Sequence, residues 1–175
     1  MQTSPQTTTA PAATPDEFRA ALGQLAAGVT LVTALDPEDD EPAGMTATSF
    51  LSVSLEPPLV LVSVRTDSRM DELLARTDHW AVSLLGESHR TTASRFAMKG
   101  RLSDRLLFAD TPHHRGPHSG APLIDGALAT VECRTVQRVE AGDHTLLIGH
   151  VLAATLPAPG AAPLLYHRGG YRQLG

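Results

Sequence analysis

Apolar and polar positions along the chain change pattern several times, and each change marks an element. Residues 1 to 14 are rich in Thr, Pro, Ala and Gln and carry no charged side chain. Such a stretch is too polar to bury, so it reads as a disordered tail ahead of a folded domain over 15 to 175. Thr14 and Glu17 have the T-x-x-E spacing of a capping box, with Pro15 at the first helical position. Phe18, Leu22 and Leu25 then recur four and three apart, the single apolar stripe of a helix lying as a lid on a sheet. Gly28 is the expected stop.

Strand-like patterns follow. Val29 to Leu35 is apolar and β-branched, and Asp36 to Pro42 is an acidic, proline-bounded turn. Met45 to Leu55 predicts one extended stretch. Leu59 to Val64, introduced by Pro57-Pro58, is almost continuously apolar, which predicts a strand buried on both faces. Ser68, with Asp71 three residues on, predicts a short helix. Trp80 to Leu85 reads as a strand and Ser88 to Ala97 as another short helix. Lys99 to Gly126 is punctuated by proline and glycine and predicts a long irregular loop, a place where function often sits. Ala127 to Val139 alternates, with Ala129, Val131 and Cys133 on an apolar face and Thr130, Glu132 and Arg134 on a polar one. Ala141-Gly142-Asp143 is the hairpin turn that returns the chain along Thr145 to Thr155. Leu164 to Tyr166 and Tyr171 to Leu174 flank a Gly169-Gly170 break. Six or seven strands with two or three short helices, and no regular βαβ alternation, predict an antiparallel sheet or barrel.

Composition narrows the function. The 175 residues are 42% hydrophobic and carry a formal charge of −5, which suits one domain with a sizeable core. Acidic balance and only seven aromatics argue against a nucleic-acid binder. No stretch approaches the ~20 apolar residues of a membrane span. Without a basic, apolar leader the expected location is cytoplasmic. A lone cysteine, Cys133, excludes intrachain disulfides and cysteine-based zinc sites, and its apolar face predicts a buried structural thiol.

Signatures of P-loop, Rossmann and nucleophile-elbow sites are missing. His113, His114 and His118 lie in the Pro/Gly loop rather than on one helix face, so a solvated or lid loop is expected there and no metal. The informative segment runs from Gly44 to Val60. It places five hydroxyl residues within nine positions, Thr46 to Ser54, among small and apolar ones. Two readings stand side by side: a strand with a solvated hydroxyl face, or an edge whose backbone and hydroxyls meet a polar, planar ligand.

At this point the sequence resembles a known family, the flavin reductase-like, FMN-binding split β-barrel proteins, the small reductase components of two-component flavin-dependent monooxygenases. The resemblance is carried, in order, by Gly28-Val29-Thr30-Leu31-Val32-Thr33, Thr46 to Val60, Val64 to Ser68, Trp80 to Leu85 and Arg95-Phe96-Ala97. It continues through Gly120 to Ala129, Gly142-Asp143-His144 with Ile148-Gly149, and Pro163 to Tyr171. It covers about residues 16 to 173.

The resemblance implies a mainly β fold: a closed antiparallel split β-barrel with a few flanking short helices, usually a homodimer. It implies FMN, with FAD as the other flavin, NADH or NADPH as hydride donor, and a partner monooxygenase that receives the reduced flavin. It sets the flavin ring against Thr46, Ala47, Thr48 and Ser49. The ribityl phosphate falls near Ser63, Val64, Arg65 and Ser68, with Phe96 and Lys99, the single lysine, closing over the flavin. Independently, Ser68 at a helix start is a natural anion position. His144, Arg168 and Tyr171 fall on the nicotinamide side. No residue is expected to act as a covalent or acid–base catalyst, because flavin accepts hydride directly. Two rivals are a non-catalytic flavin- or haem-binding split-barrel protein and a pyridoxamine phosphate oxidase-like enzyme. The second needs a basic substrate pocket that one lysine and dispersed arginines support poorly.

Overall fold

The computed structural model describes residues 12–100 and 102–174. Helix α1 (Pro15–Leu22) begins with the expected capping box: the Thr14 hydroxyl accepts from the Glu17 backbone, and the Glu17 side chain reaches back to Thr14. It ends sooner than the sequence suggests, at Gly23 rather than Gly28. Its apolar stripe is also not a lid. Phe18, Leu22 and Leu25 are 60%, 49% and 66% exposed, and no α1 residue is buried. Residues 1–11 of the anticipated tail lie outside the described residues.

The main body is built from β2 (Thr30–Leu35), β3 (Pro42–Ala47), β4 (Leu51–Leu55), β5 (Pro58–Arg65), β6 (His79–Leu84), β9 (Ala129–Ala141) and β10 (His144–Thr155). These form one antiparallel seven-stranded sheet in the order β3-β2-β6-β9-β10-β5-β4. A three-stranded sheet joins β1 (Ala27–Gly28) to β11 (Leu165–His167) and β12 (Gly170–Arg172). Helices α2 (Arg69–Arg76), α3 (Arg90–Ala97) and α4 (Asp104–Ala109) flank the sheets.

The closed barrel of the sequence reading is corrected here: the large sheet stays open, with β3 and β4 as its unpaired ends. It is nonetheless strongly bent. Ala43 and Ala47 from one end share a core with Val60, Val62 and Val64 from near the other, and Leu73 and Leu74 of α2 pack into the same cluster. Closure fails because the stretch read as one strand, Met45 to Leu55, is broken at Thr48–Phe50. Meanwhile β3 leans on the helices, with Gly44 against the rings of Phe96 and Phe108. Across the gap, Ser49 Oγ on the linker donates to the Ser63 carbonyl on β5 at 2.9 Å.

Three further differences have physical causes. Strand β5 alternates rather than being buried on both faces: Val60, Val62 and Val64 face the core, while Leu59, Leu61 and Ser63 are half-buried. Residues Lys99 to Gly126 are not one irregular loop, since they hold α4, β7 (His113–Arg115) and β8 (Pro122–Ile124). On β9 the polar face is not all outside, and Glu132 is 3% exposed. Its Oε2 accepts from the backbone N–H of His118 (2.9 Å) and Ser119 (2.7 Å) and from the Ser119 hydroxyl (2.7 Å). Three donors offset the desolvation of the carboxylate. Cys133 beside it is fully buried, and desolvation together with the Glu132 charge pushes its thiol up to about 12. Trp80 lies against Gly149, where a Cβ would come 2.5 Å from the indole.

Candidate functional site

Strand β3 pairs only with β2, so its outer edge has no strand partner. Hydroxyls hold this edge in place. Thr46 Oγ1 donates to the Ala93 carbonyl of α3 at 2.7 Å, and Thr30 Oγ1 donates to the Ala47 carbonyl at 2.9 Å. With Ser49 turned to Ser63, these hydroxyl protons serve protein acceptors, and a ligand meets chiefly backbone and the exposed Thr48. Beside the edge is a cavity of ≈ 320 Å³, lined by Met45 to Ser49, Ser63, Arg65 and His144. Seven of the positions singled out in the sequence therefore meet in one place.

Strand register accounts for two of them. Arg65 ends β5 directly opposite His144, which begins β10 after the Gly142 turn. Gly142 has φ 67°, a conformation suited to glycine. His144 Nδ1 lies 2.8 Å from Asp143 Oδ1. That hydrogen bond, then the charge of the ring, and last Arg65, hold the Asp143 carboxyl below its ordinary range. The carboxylate favours a proton on the nearer ring nitrogen, Nδ1.

A second cavity of ≈ 500 Å³ adjoins the first at Met45 and brings Ser68 and Lys99 together. Ser68 caps α2, accepting from the Asp71 backbone at 3.2 Å, so the helix start opens on this space. Arg69 lines it as well, 3.2 Å from the buried carboxylate of Asp104. A third cavity of ≈ 190 Å³ lies against Thr46, Ala47 and Thr48 with Val29, Ala97, Tyr166 and Tyr171.

Other positions fall elsewhere. Val64 is fully buried in the core, so only its backbone lies near the groove. Phe96 is 2% exposed and packs at a tilt against Phe108, with ring centroids 4.9 Å apart, and its ring lies against Gly44 of β3. The nicotinamide-side group is spread out. His144 lies in the first cavity and Tyr171 in the third, while Arg168 donates to the Gln24 side chain near the end of α1. Tyr166, which the sequence did not single out as a site residue, is 39% exposed and lines the third cavity, edge-on to Tyr171 at 5.6 Å. The cross-strand pairing of β11 with β12, which sets those two tyrosines opposite each other, was the available signal.

The histidine-rich stretch is engaged structurally. His113 Nδ1 lies 2.6 Å from the Thr111 carbonyl, and His114 Nδ1 lies 2.7 Å from Asp125. Among the described residues no cluster of three His, Cys, Asp or Glu side chains could hold a metal ion. No helix among them is long and apolar enough to cross a membrane.

The bent antiparallel sheet thus carries a polar groove along one bare edge, with Arg65, Arg69 and Lys99 among the residues that line it. The chain belongs to the flavin reductase-like domain family, whose model matches residues 22–175. It is 39% identical to an NADH-dependent flavin reductase of a Rhodococcus species, over 94% of this chain and 89% of that protein. It is 42% identical to an FMN reductase (NADH) of Agrobacterium fabrum, over 78% of this chain and 74% of the relative. The solved structure of BorF, the flavin reductase component of a bacterial two-component tryptophan halogenase, superposes with a TM-score of 0.84 at 38% identity, covering 91% of this chain and 97% of BorF. Other members are named as reductase components of monooxygenases.

Proposed function

We propose that this chain passes hydride from NADH to a flavin seated along the outer edge of β3, and that the reduced flavin goes on to a separate flavin-dependent monooxygenase. The observation that carries this is the convergence of Thr46 to Ser49, Ser63, Arg65 and His144 on one cavity in a member of this family. The groove suits the ligand. A free strand edge can meet the ring's polar rim, and the adjoining cavity offers Ser68 at a helix start and Lys99 to a phosphate.

When bound, the flavin supplies the hydride acceptor. The chain supplies orientation. Backbone groups of Thr46 to Ser49 would set the ring plane, while Arg65, Ser68 and Lys99 would hold the phosphate end. His144, with its Nδ1 proton directed at Asp143, offers Nε2 to the nicotinamide carboxamide. Holding donor and acceptor in a near-attack geometry of about 3–3.5 Å is the catalytic contribution. No side chain needs to exchange a proton or form a bond.

The molecule works as a homodimer in this reading. Leu51, Leu61 and Ile148 are cross-strand neighbours on β4, β5 and β10, on the face turned away from Val60 and Val62. In this reading a second copy covers that face, and Val53 and Leu55 are exposed on the adjoining edge strand β4.

Anaerobic mixing with NADH tests the reading: flavin should bleach catalytically, and a non-catalytic flavin binder would leave it oxidised. His144→Ala should lower kcat/KM for NADH several-fold while flavin affinity, read by fluorescence titration, stays nearly unchanged. Equal loss of both would make His144 structural.

A further inference from the structure

Most described arginines lie within salt-bridge distance of a carboxylate, as expected in an acidic chain. Arg90 and Arg172 do not, among the described residues, and they line one small cavity of ≈ 210 Å³. Arg90 sits over the Tyr171 ring, 5.9 Å from its centroid. Arg172 donates to the Tyr171 carbonyl at 3.0 Å. Glu87 lines the same cavity, but its carboxylate accepts from Gln173 Nε2 at 3.1 Å, and two guanidiniums against one carboxylate leave the site cationic.

Tyr171 is the hinge of the argument. It lines this cationic cavity and also the apolar one of ≈ 190 Å³ that lies against Thr46 to Thr48. Helix α3 runs between them, with Arg90 at its first residue by one cavity and Ala97 at its last by the other, a rise of roughly 10 Å. The two cavities differ as the two ends of a reduced nicotinamide nucleotide differ. Its nicotinamide ring is planar and uncharged, which suits Val29, Ala97, Tyr166 and Tyr171. Its pyrophosphate bridge carries two negative charges, which suit a pair of guanidiniums.

We propose that the cleft between Arg90 and Arg172 seats the pyrophosphate of the nicotinamide dinucleotide, which reaches the flavin by passing Tyr171. The inference rests on the flavin-reductase reading above and adds the entry side of the hydride donor and two residues that recognise it. Neither arginine touches the reacting atoms, so both act on binding and leave the chemical step alone. The nicotinamide would then lie beyond Tyr171 against Thr46 to Thr48, the residues that the apolar cavity shares with the cavity holding His144.

The test uses the full chain, its Arg90→Gln/Arg172→Gln variant, and ADP-ribose, which has the pyrophosphate but no nicotinamide. The wild-type protein should be inhibited by ADP-ribose competitively with NADH, and added salt should weaken that inhibition. In the double variant KM for NADH should rise about tenfold with kcat nearly unchanged, and ADP-ribose inhibition should weaken by a similar factor. Flavin affinity should not move. An unchanged KM would overturn the proposal. So would a loss of flavin affinity as large as the loss for NADH, since the anion held there would then belong to the flavin. Absence of any NADH-driven flavin reduction by the wild type would instead refute the underlying function, and ADP-ribose binding by calorimetry reads the cleft without turnover. Should the variant fail to fold, wild-type insensitivity to ADP-ribose would still refute the assignment.

Discussion

Replacing Glu132 with alanine tests how much of the fold rests on one buried charge. The carboxylate is 3% exposed, and a single oxygen accepts from two backbone N–H groups and one hydroxyl. Those donors belong to the segment that closes over Gly116, where a Cβ would lie 2.3 Å from Glu132 Oε2. Truncation leaves all three without their acceptor. Each lost bond to a charged group is worth about 1.5–3 kcal/mol, but the His118 end of the loop is exposed and water can replace part of it. Taking about 1 kcal/mol per donor gives a loss of about 3 kcal/mol. For a domain of this size that lowers Tm by about 6–12 °C. Glu132→Gln keeps the shape and one neutral acceptor and should cost roughly half as much. Urea denaturation and calorimetry of the wild type and both variants would measure it. Limited proteolysis should cut the alanine variant near His118 first. A two-state Glu132→Ala protein within about 0.5 kcal/mol of the wild type would show that the carboxylate is replaceable by solvent and the reasoning mistaken.

Gly44→Ala should disturb the groove from beneath. A Cβ there would come within 3.0 Å of Phe108 Cζ and of Phe96 Cε1, two rings already packed against each other, so β3 must move outward. We expect about 1–3 kcal/mol of destabilisation with several-fold weaker flavin binding, and an unchanged melt and titration would contradict it. On the proposed pairing the wild type should sediment as a dimer at micromolar concentration and Leu61→Asp as a monomer, and a monomeric wild type would remove the basis for a second copy.

Local signals in the chain determined the elements with local causes. The capping box at Thr14, the Ser68 cap and the turn through Gly142 each involve groups a few residues apart, and each forms as the pattern suggests. Ordered motifs also determined the family, and they drew attention to Thr46 to Ser49, which line one cavity with Ser63, Arg65 and His144. Burial was another matter, because it depends on what packs from far along the chain. Glu132 reads as one residue of a polar strand face, and its burial appears only once the 116–119 segment folds over it. The Phe18, Leu22 and Leu25 stripe reads as a lid, but the single chain offers it no surface. Phe96 reads as a cover for the flavin, yet its ring packs against Phe108 and Gly44. Whether the sheet closes, and which cavity collects His144 and which collects Tyr171, was decided by tertiary structure. Those outcomes depend on contacts between strands that no local pattern encodes.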